Sequence, residues 1–168
     1  TPMVPVKVRE ILLRLEDNWI KGRTYFEQSR LPADLTLFDD LSDYRTWDLE
    51  SNSPLENGGG KAVPETLDLL TAVKIRLIKG SVDGEPLEAL KQVRQLATLL
   101  LTTENSQMIL AGLAAFDLER RAYREYVDRE WIDAAVWRPI DRNTSMRASR
   151  TFNATAGYLR AITPEPIF

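Results

Sequence analysis

The chain has 168 residues, of which 43% are hydrophobic and 28% are charged, and its formal net charge at pH 7 is −3. This composition is typical of one globular domain, and the net charge argues against a broad basic surface for nucleic acid. The sequence has no Cys and no His, which excludes disulfides, zinc sites built from these residues and His-dependent nucleophiles. No cofactor is expected, and no apolar run approaches the roughly 20 residues of a membrane-spanning helix.

The chain begins at Thr1, without an initiator Met, and leads almost at once into a helix-like pattern. The sequence also has no Cys, no His and no recognisable active-site motif. Together with this start, these absences favour the soluble portion of a cell-envelope or membrane-anchored protein over a cytoplasmic one.

Apolar residues at helical spacing predict a first helix from about Pro5 to Ser29, with Gly22 as its weakest position. The predicted buried face consists of Val8, Ile11, Leu12, Leu15, Trp19 and Phe26.

A long irregular loop is predicted over residues 31–63, because this stretch contains prolines, three consecutive glycines and only scattered apolar residues. Its apolar residues predict a first half held on the helices through a short helical turn: Leu35, Leu37, Phe38, Leu41, Tyr44 and Trp47. Residues 31–60 carry seven acidic side chains against Arg45 alone. Asp39, Asp40 and Asp43 are the candidate ligands if the chain binds Mg²⁺ or Ca²⁺, although their spacing is not that of an EF-hand. The stretch ENGGGKA lacks the first Gly and the Ser or Thr of a phosphate loop.

Three further helices are predicted after the loop. The second runs from about Pro64 to Gly80, which is its predicted stop. Its predicted buried stripe consists of Leu67, Leu70, Val73, Leu77 and Ile78. The third runs from Pro86 to Leu101, and the fourth runs from Asn105 or Ser106 to beyond Trp131. The small residues Ala111, Gly112, Ala114 and Ala115 predict that a neighbouring helix approaches the fourth helix closely. The expected fold is a single all-α domain over 1–168, a bundle of four to five helices with the long loop after the first.

The end of the fourth helix is dense in charge and aromatic residues, and a polar arm follows over 138–168. The arm has five arginines against Asp141 between residues 138 and 163. Such a segment suits pairing with the acidic loop, within one molecule or between two copies, better than nucleic-acid binding.

These observations favour a non-enzymatic helical domain for protein–protein interaction, with a protein partner or self-association. Tyr, Trp and Arg dominate the energetics of interfaces. The predicted contact residues are therefore Tyr44, Trp47, Tyr123, Tyr126, Trp131, Arg138 and Arg142. The alternatives are a carboxylate-dependent, divalent-metal enzyme that uses the acidic loop, and a small-ligand pocket between helices lined by Trp19, Phe26 and leucines.

Overall fold

A computed structural model of the chain describes residues 4–28, 33–44, 66–103, 105–141 and Asn143. Its α-helices are α1 (Val6–Leu15), α2 (Arg23–Gln28), α3 (Thr66–Val82), α4 (Pro86–Leu101) and α5 (Ser106–Asp128). Short 3₁₀ segments cover Glu16–Gly22, Thr36–Phe38, Leu41–Asp43 and Ala134–Val136. These ranges contain no strand, which confirms the all-α fold for the part of the chain that they cover.

The predicted first helix is not continuous. Glu16 has φ 47° and ψ −120°, and Asn18 has φ −94° and ψ 25°, so a 3₁₀ segment separates α1 from α2. With this kink Trp19 and Ile20 are both buried. Gly22 is not the break; it is a packing position, because an added Cβ would lie only 3.3 Å from Leu12 Cδ2.

Helix α3 is the centre of the bundle, since α1, α2, α4 and α5 all pack on it. Buried side chains therefore occur around most of its circumference. The prediction that Gly80 ends this helix is wrong, because α3 continues to Val82 and the left-handed residue of the turn is Gly84, with φ 76°. Gly80 instead lies where α3 crosses Ala89 of α4.

Helices α4 and α5 form an antiparallel pair, as their short connection requires. The predicted bounds of α4 are confirmed. The predicted close approach is seen at Gly112, where an added Cβ would lie 3.0 Å from the backbone oxygen of Ala97. Asn105 caps α5 by accepting hydrogen bonds from the backbone N–H groups of Gln107 and Met108.

Helix α5 ends at Asp128, so the prediction that it continues beyond Trp131 is wrong. Glu130 adopts φ 58°, and its N–H donates to the Val127 oxygen at 3.0 Å. The N–H of Trp131 donates to the Tyr126 oxygen at 2.8 Å, and the two rings pack with centroids 5.8 Å apart. This is a Schellman termination with its usual apolar contact.

The described part of the predicted loop, residues 33–44, packs on α4. Phe38 and Leu41 are buried, and the two 3₁₀ segments confirm the predicted helical turn. Gln95 Nε2 donates to the oxygens of Leu41 at 3.2 Å and Tyr44 at 3.1 Å, which ties the segment to the helix. The rest of residues 31–63, and the arm beyond 141 except Asn143, lie outside the described residues.

Candidate functional site

A groove of about 220 Å³ lies between α1 and α5, over α3. Helices α3 and α5 each contribute a stripe of side chains at the three- and four-residue spacing that places them on a single helical face, and α1 contributes two adjacent leucines. The lining is Leu12 and Leu13 from α1; Leu67, Leu70, Thr71 and Lys74 from α3; and Ala114, Asp117, Leu118 and Arg121 from α5. We call these ten residues the groove. Its lining is mostly apolar, with its charged side chains on α3 and α5.

Two polar ties hold α1 in place beside the groove. At the start of α1, Asp68 Oδ1 accepts hydrogen bonds from Arg9 Nη2 at 3.0 Å and from the Val4 N–H at 3.3 Å. At the other end, Arg121 of α5 donates to Asp17 Oδ1 at 2.5 Å. Both ties join residues far apart in sequence, so the width of the groove is a property of the tertiary structure.

Part of the apolar lining is open to solvent. Leu13 is 49% exposed and Leu67 is 40% exposed. The prediction that Leu67 belongs to a fully buried stripe is therefore wrong, because no described residue covers this side of α3. Leu110, one turn before Ala114 on α5, is also exposed. Exposed leucines grouped along one groove differ from the isolated apolar residues that are common on protein surfaces.

Lys74 is the unneutralised charge of the groove. It is half-buried and forms no ion pair with any residue in the described ranges. Burial lowers the pKa of its ammonium group, and the nearby Arg121 lowers that pKa further, while Asp17 opposes the shift. Arg121 itself is occupied by Asp17 and, at 3.5 Å, by Asp117. The groove thus offers an acidic group one poorly solvated cation that no described residue pairs with.

A second buried polar cluster lies between α4 and α5. The Glu119 side chain is buried, and its carboxylate accepts hydrogen bonds from Arg94 Nη2 at 2.5 Å and Trp137 Nε1 at 2.8 Å. The Arg94 guanidinium lies 4.0 Å from the centre of the Trp137 ring and donates to the Arg138 oxygen at 2.6 Å. Burial raises the pKa of Glu119 despite the opposing effect of Arg94. Because these contacts join Trp137 and the Arg138 oxygen to α4 and α5, the cluster anchors residues 137 and 138 on the bundle.

The predicted aromatic contact residues near the end of α5 mostly serve internal contacts. Tyr126 is fully buried and donates from its hydroxyl to the Leu77 oxygen, so it has no exposed surface to offer a partner. Tyr123 donates to the Ala134 oxygen at 3.0 Å. Trp131 packs on Tyr126, and the Arg23 guanidinium lies 4.6 Å from its ring centre.

The other predicted contact residues are spread over the molecule. Tyr44 and Arg138 have exposed side chains. Trp47 and Arg142 lie outside the described residues. Neither Tyr44 nor Arg138 lines the groove, and the role of all four residues in binding stays a prediction.

The candidate metal ligands Asp39, Asp40 and Asp43 are exposed. No three acidic side chains in the described ranges, these included, are grouped so that they could share a metal ion. Trp19, proposed above as a pocket wall, is a buried core residue. No described helix is both long enough and apolar enough to cross a bilayer. The cell-envelope location stays a prediction.

Sequence reasoning missed the groove, although its signal is visible in hindsight. Lys74 follows Leu67, Leu70 and Thr71 on one helical face, and a lysine in an otherwise apolar stripe marks a face that the core does not fully cover. Comparison of the chain with protein-family models, with curated proteins and with solved structures finds no match.

Proposed function

We propose that this chain is a non-enzymatic helical domain that binds an α-helical protein segment in the groove. One observation carries the proposal: exposed leucines line an open groove between α1 and α5 that also contains the half-buried Lys74, which has no ion-pair partner among the described residues. The partner segment would present apolar residues at helical spacing and one acidic residue on the same face. This is the helix-in-groove mode of recognition, in which apolar anchors supply affinity and a charge sets the register.

Two properties of the groove favour a protein segment over a small molecule. Its volume of about 220 Å³ is below the roughly 300–1,000 Å³ of typical ligand pockets. It is also a surface channel between two helices, so that a ligand lying in it keeps one side in solvent. A helix tolerates this geometry because its own polar face remains hydrated.

The proposal is tested with a synthetic helical peptide that carries leucines at positions i, i+3 and i+7 and a glutamate at i+4. Titrated into the ¹⁵N-labelled chain, it should shift the amide resonances of Leu13, Leu67 and Lys74 in a concentration-dependent manner. A control peptide with lysine in place of the glutamate should bind several-fold more weakly, because it meets Lys74 with a like charge.

The domain itself offers a matched pair of variants. Leu13→Glu places a charge in the groove, whereas Val136→Glu places the same charge at a residue that is 51% exposed and lies outside the groove. Only the first substitution should weaken peptide binding. Shifts centred on Tyr123 and Trp131, or no shifts at millimolar peptide, would contradict the proposal.

A further inference from the structure

The exposed face of α1 has the features that the groove is proposed to bind. Val6, Glu10 and Leu13 follow one another at four- and three-residue spacing and therefore share one face of the helix. Val6 is 61% exposed and Leu13 is 49% exposed. Glu10, between them, is exposed and forms no ion pair with any described residue. The face thus combines apolar side chains with one uncommitted carboxylate.

Leu13 belongs to this exposed face and to the groove at once. A surface that contains part of both binding elements can pair with a second copy of itself about a two-fold axis, with each copy offering the same residues. With an axis near Leu13, the two α1 helices run antiparallel and the two Leu13 side chains meet.

The antiparallel arrangement determines which charges meet. In each copy, Glu10 lies about one helical turn before Leu13. Because the two helices are antiparallel, Glu10 of one copy faces the position about one turn after Leu13 in the other copy. That position is the Glu16–Asp17 end of α1, where the Glu16 carboxylate is exposed to solvent and Arg121 bonds to Asp17. Lys74 lies at this end, because Arg121 and Asp17 are the two charged groups that act on it. Glu10 of one copy therefore reaches a region of the other that holds both Glu16 and Lys74. Because Arg121 is bonded to Asp17, Lys74 is the cation there that is left to pair with Glu10 among the described residues, and the Glu16 side chain stays in solvent.

We propose that the occupant of the groove is α1 of a second copy of this chain, with Glu10 of each copy paired to the partner's Lys74 across a two-fold axis near Leu13. The inference rests on the proposed function, since it names the partner of the same groove. Within the described part of one chain, neither Glu10 nor Lys74 has an ion-pair partner. The two-fold arrangement gives each of them a partner of opposite charge in the other copy. Both pairs form together, so the dimer carries two equivalent contacts that are partly shielded from water.

The experiment is a charge exchange measured by sedimentation equilibrium on the full chain. Glu10→Lys and Lys74→Glu should each raise the dimer dissociation constant by about tenfold or more, because each places like charges at both contacts. The double variant restores opposite charges and should return the dissociation constant to within about threefold of the unmodified chain. Glu88→Lys and Lys91→Glu make the same charge changes at exposed positions of α4 outside the groove, and they should leave dimerisation unchanged.

Other results overturn the inference in distinguishable ways. A chain that stays monomeric up to about 1 mM excludes the second copy as occupant, and the peptide titration above then decides whether the groove binds helices at all. A dimer whose dissociation constant does not respond to the Glu10 and Lys74 variants places the interface elsewhere. A dimer that each single variant weakens, but that the double variant does not restore, refutes the Glu10–Lys74 pair. Circular dichroism of every variant establishes that the helices are retained.

Discussion

The crossing of α3 and α4 makes a quantitative prediction about Gly80. An added Cβ at this position would overlap the Cβ of Ala89, at a separation that real Cβ atoms do not show, and would lie 3.2 Å from the Glu85 oxygen. Neither Ala89 Cβ nor a backbone oxygen can move by a change of rotamer. The helices themselves must separate, which also weakens the hydrogen bond from the Glu85 N–H to the Gly80 oxygen, now 2.7 Å.

Two opposing effects set the magnitude for Gly80→Ala. Replacing a mid-helix glycine with alanine favours the helix by about 1 kcal/mol. Overpacking a rigid site costs roughly 1–3 kcal/mol, and contact between two Cβ atoms belongs at the upper end. The substitution should therefore lower the free energy of unfolding by about 2 kcal/mol.

A second substitution separates the overlap from other causes. Ala89→Gly alone should cost about 2 kcal/mol, from the lost methyl burial and the lower helix propensity of glycine. In the double variant residue 89 has no Cβ, so the overlap is absent. The higher helix propensity of alanine at position 80 then offsets much of the stability lost through glycine at position 89. The double variant should be more stable than either single variant, with a coupling of about 2–3 kcal/mol.

The assay is urea unfolding of the four proteins, followed by far-ultraviolet circular dichroism. Gly84→Ala is the matched control, because Gly84 has φ 76° and no atom within 4 Å of an added Cβ. Gly84→Ala should lower the free energy of unfolding by about 1 kcal/mol through backbone strain alone. Its effect should be additive with that of Ala89→Gly. Additive effects of Gly80→Ala and Ala89→Gly would refute the close crossing of α3 and α4.

Two further predictions concern the end of α5 and the buried carboxylate. In thermal melts, Glu130→Gly should raise the free energy of unfolding by about 1 kcal/mol, because glycine adopts the left-handed conformation without steric cost. Asp128→Gly, two residues earlier and still helical, should lower the free energy of unfolding by about 1 kcal/mol. Equal effects of the two substitutions would contradict the Schellman termination. Because the pKa of Glu119 is raised, the folded protein binds the proton of this carboxyl group more tightly than the unfolded chain does. Protonated Glu119 therefore contributes to stability below its ordinary pKa of 4.5, and this contribution is lost as pH rises through the pKa of the folded state. The stability of the unmodified chain relative to Glu119→Gln should therefore fall as the pH of the urea titrations is raised above 4.5. A difference that does not change with pH would show that burial does not dominate at this site.

Local features of the sequence determined the helices and several of their ends. Pro86 and the apolar spacing after it place α4, and Asn105 predicts the cap of α5 through its side-chain oxygen. These features could be predicted because a helix and its N-terminal cap depend on residues within about one turn of each other. The small residues around Gly112 likewise indicated a close helix contact before the partner helix was known.

Other features depend on contacts between residues distant in sequence, and only the tertiary structure decided them. Gly80 has the local signature of a helix stop, but the proximity of Ala89 makes it a packing position within α3. Glu119 lies in a charged stretch typical of a solvated face, yet Arg94 and Trp137 surround it.

The groove is the most consequential of these features. Leu67 has the spacing of a core residue, but its exposure depends on the position of α1. That position is set by the hydrogen bonds from Arg9 to Asp68 and from Arg121 to Asp17. Apolar periodicity determines which face of a helix avoids water, because it follows from residues on that helix alone. How completely the face is covered depends on the positions of the neighbouring helices, and in this chain those positions leave Leu67 and Lys74 at an open surface.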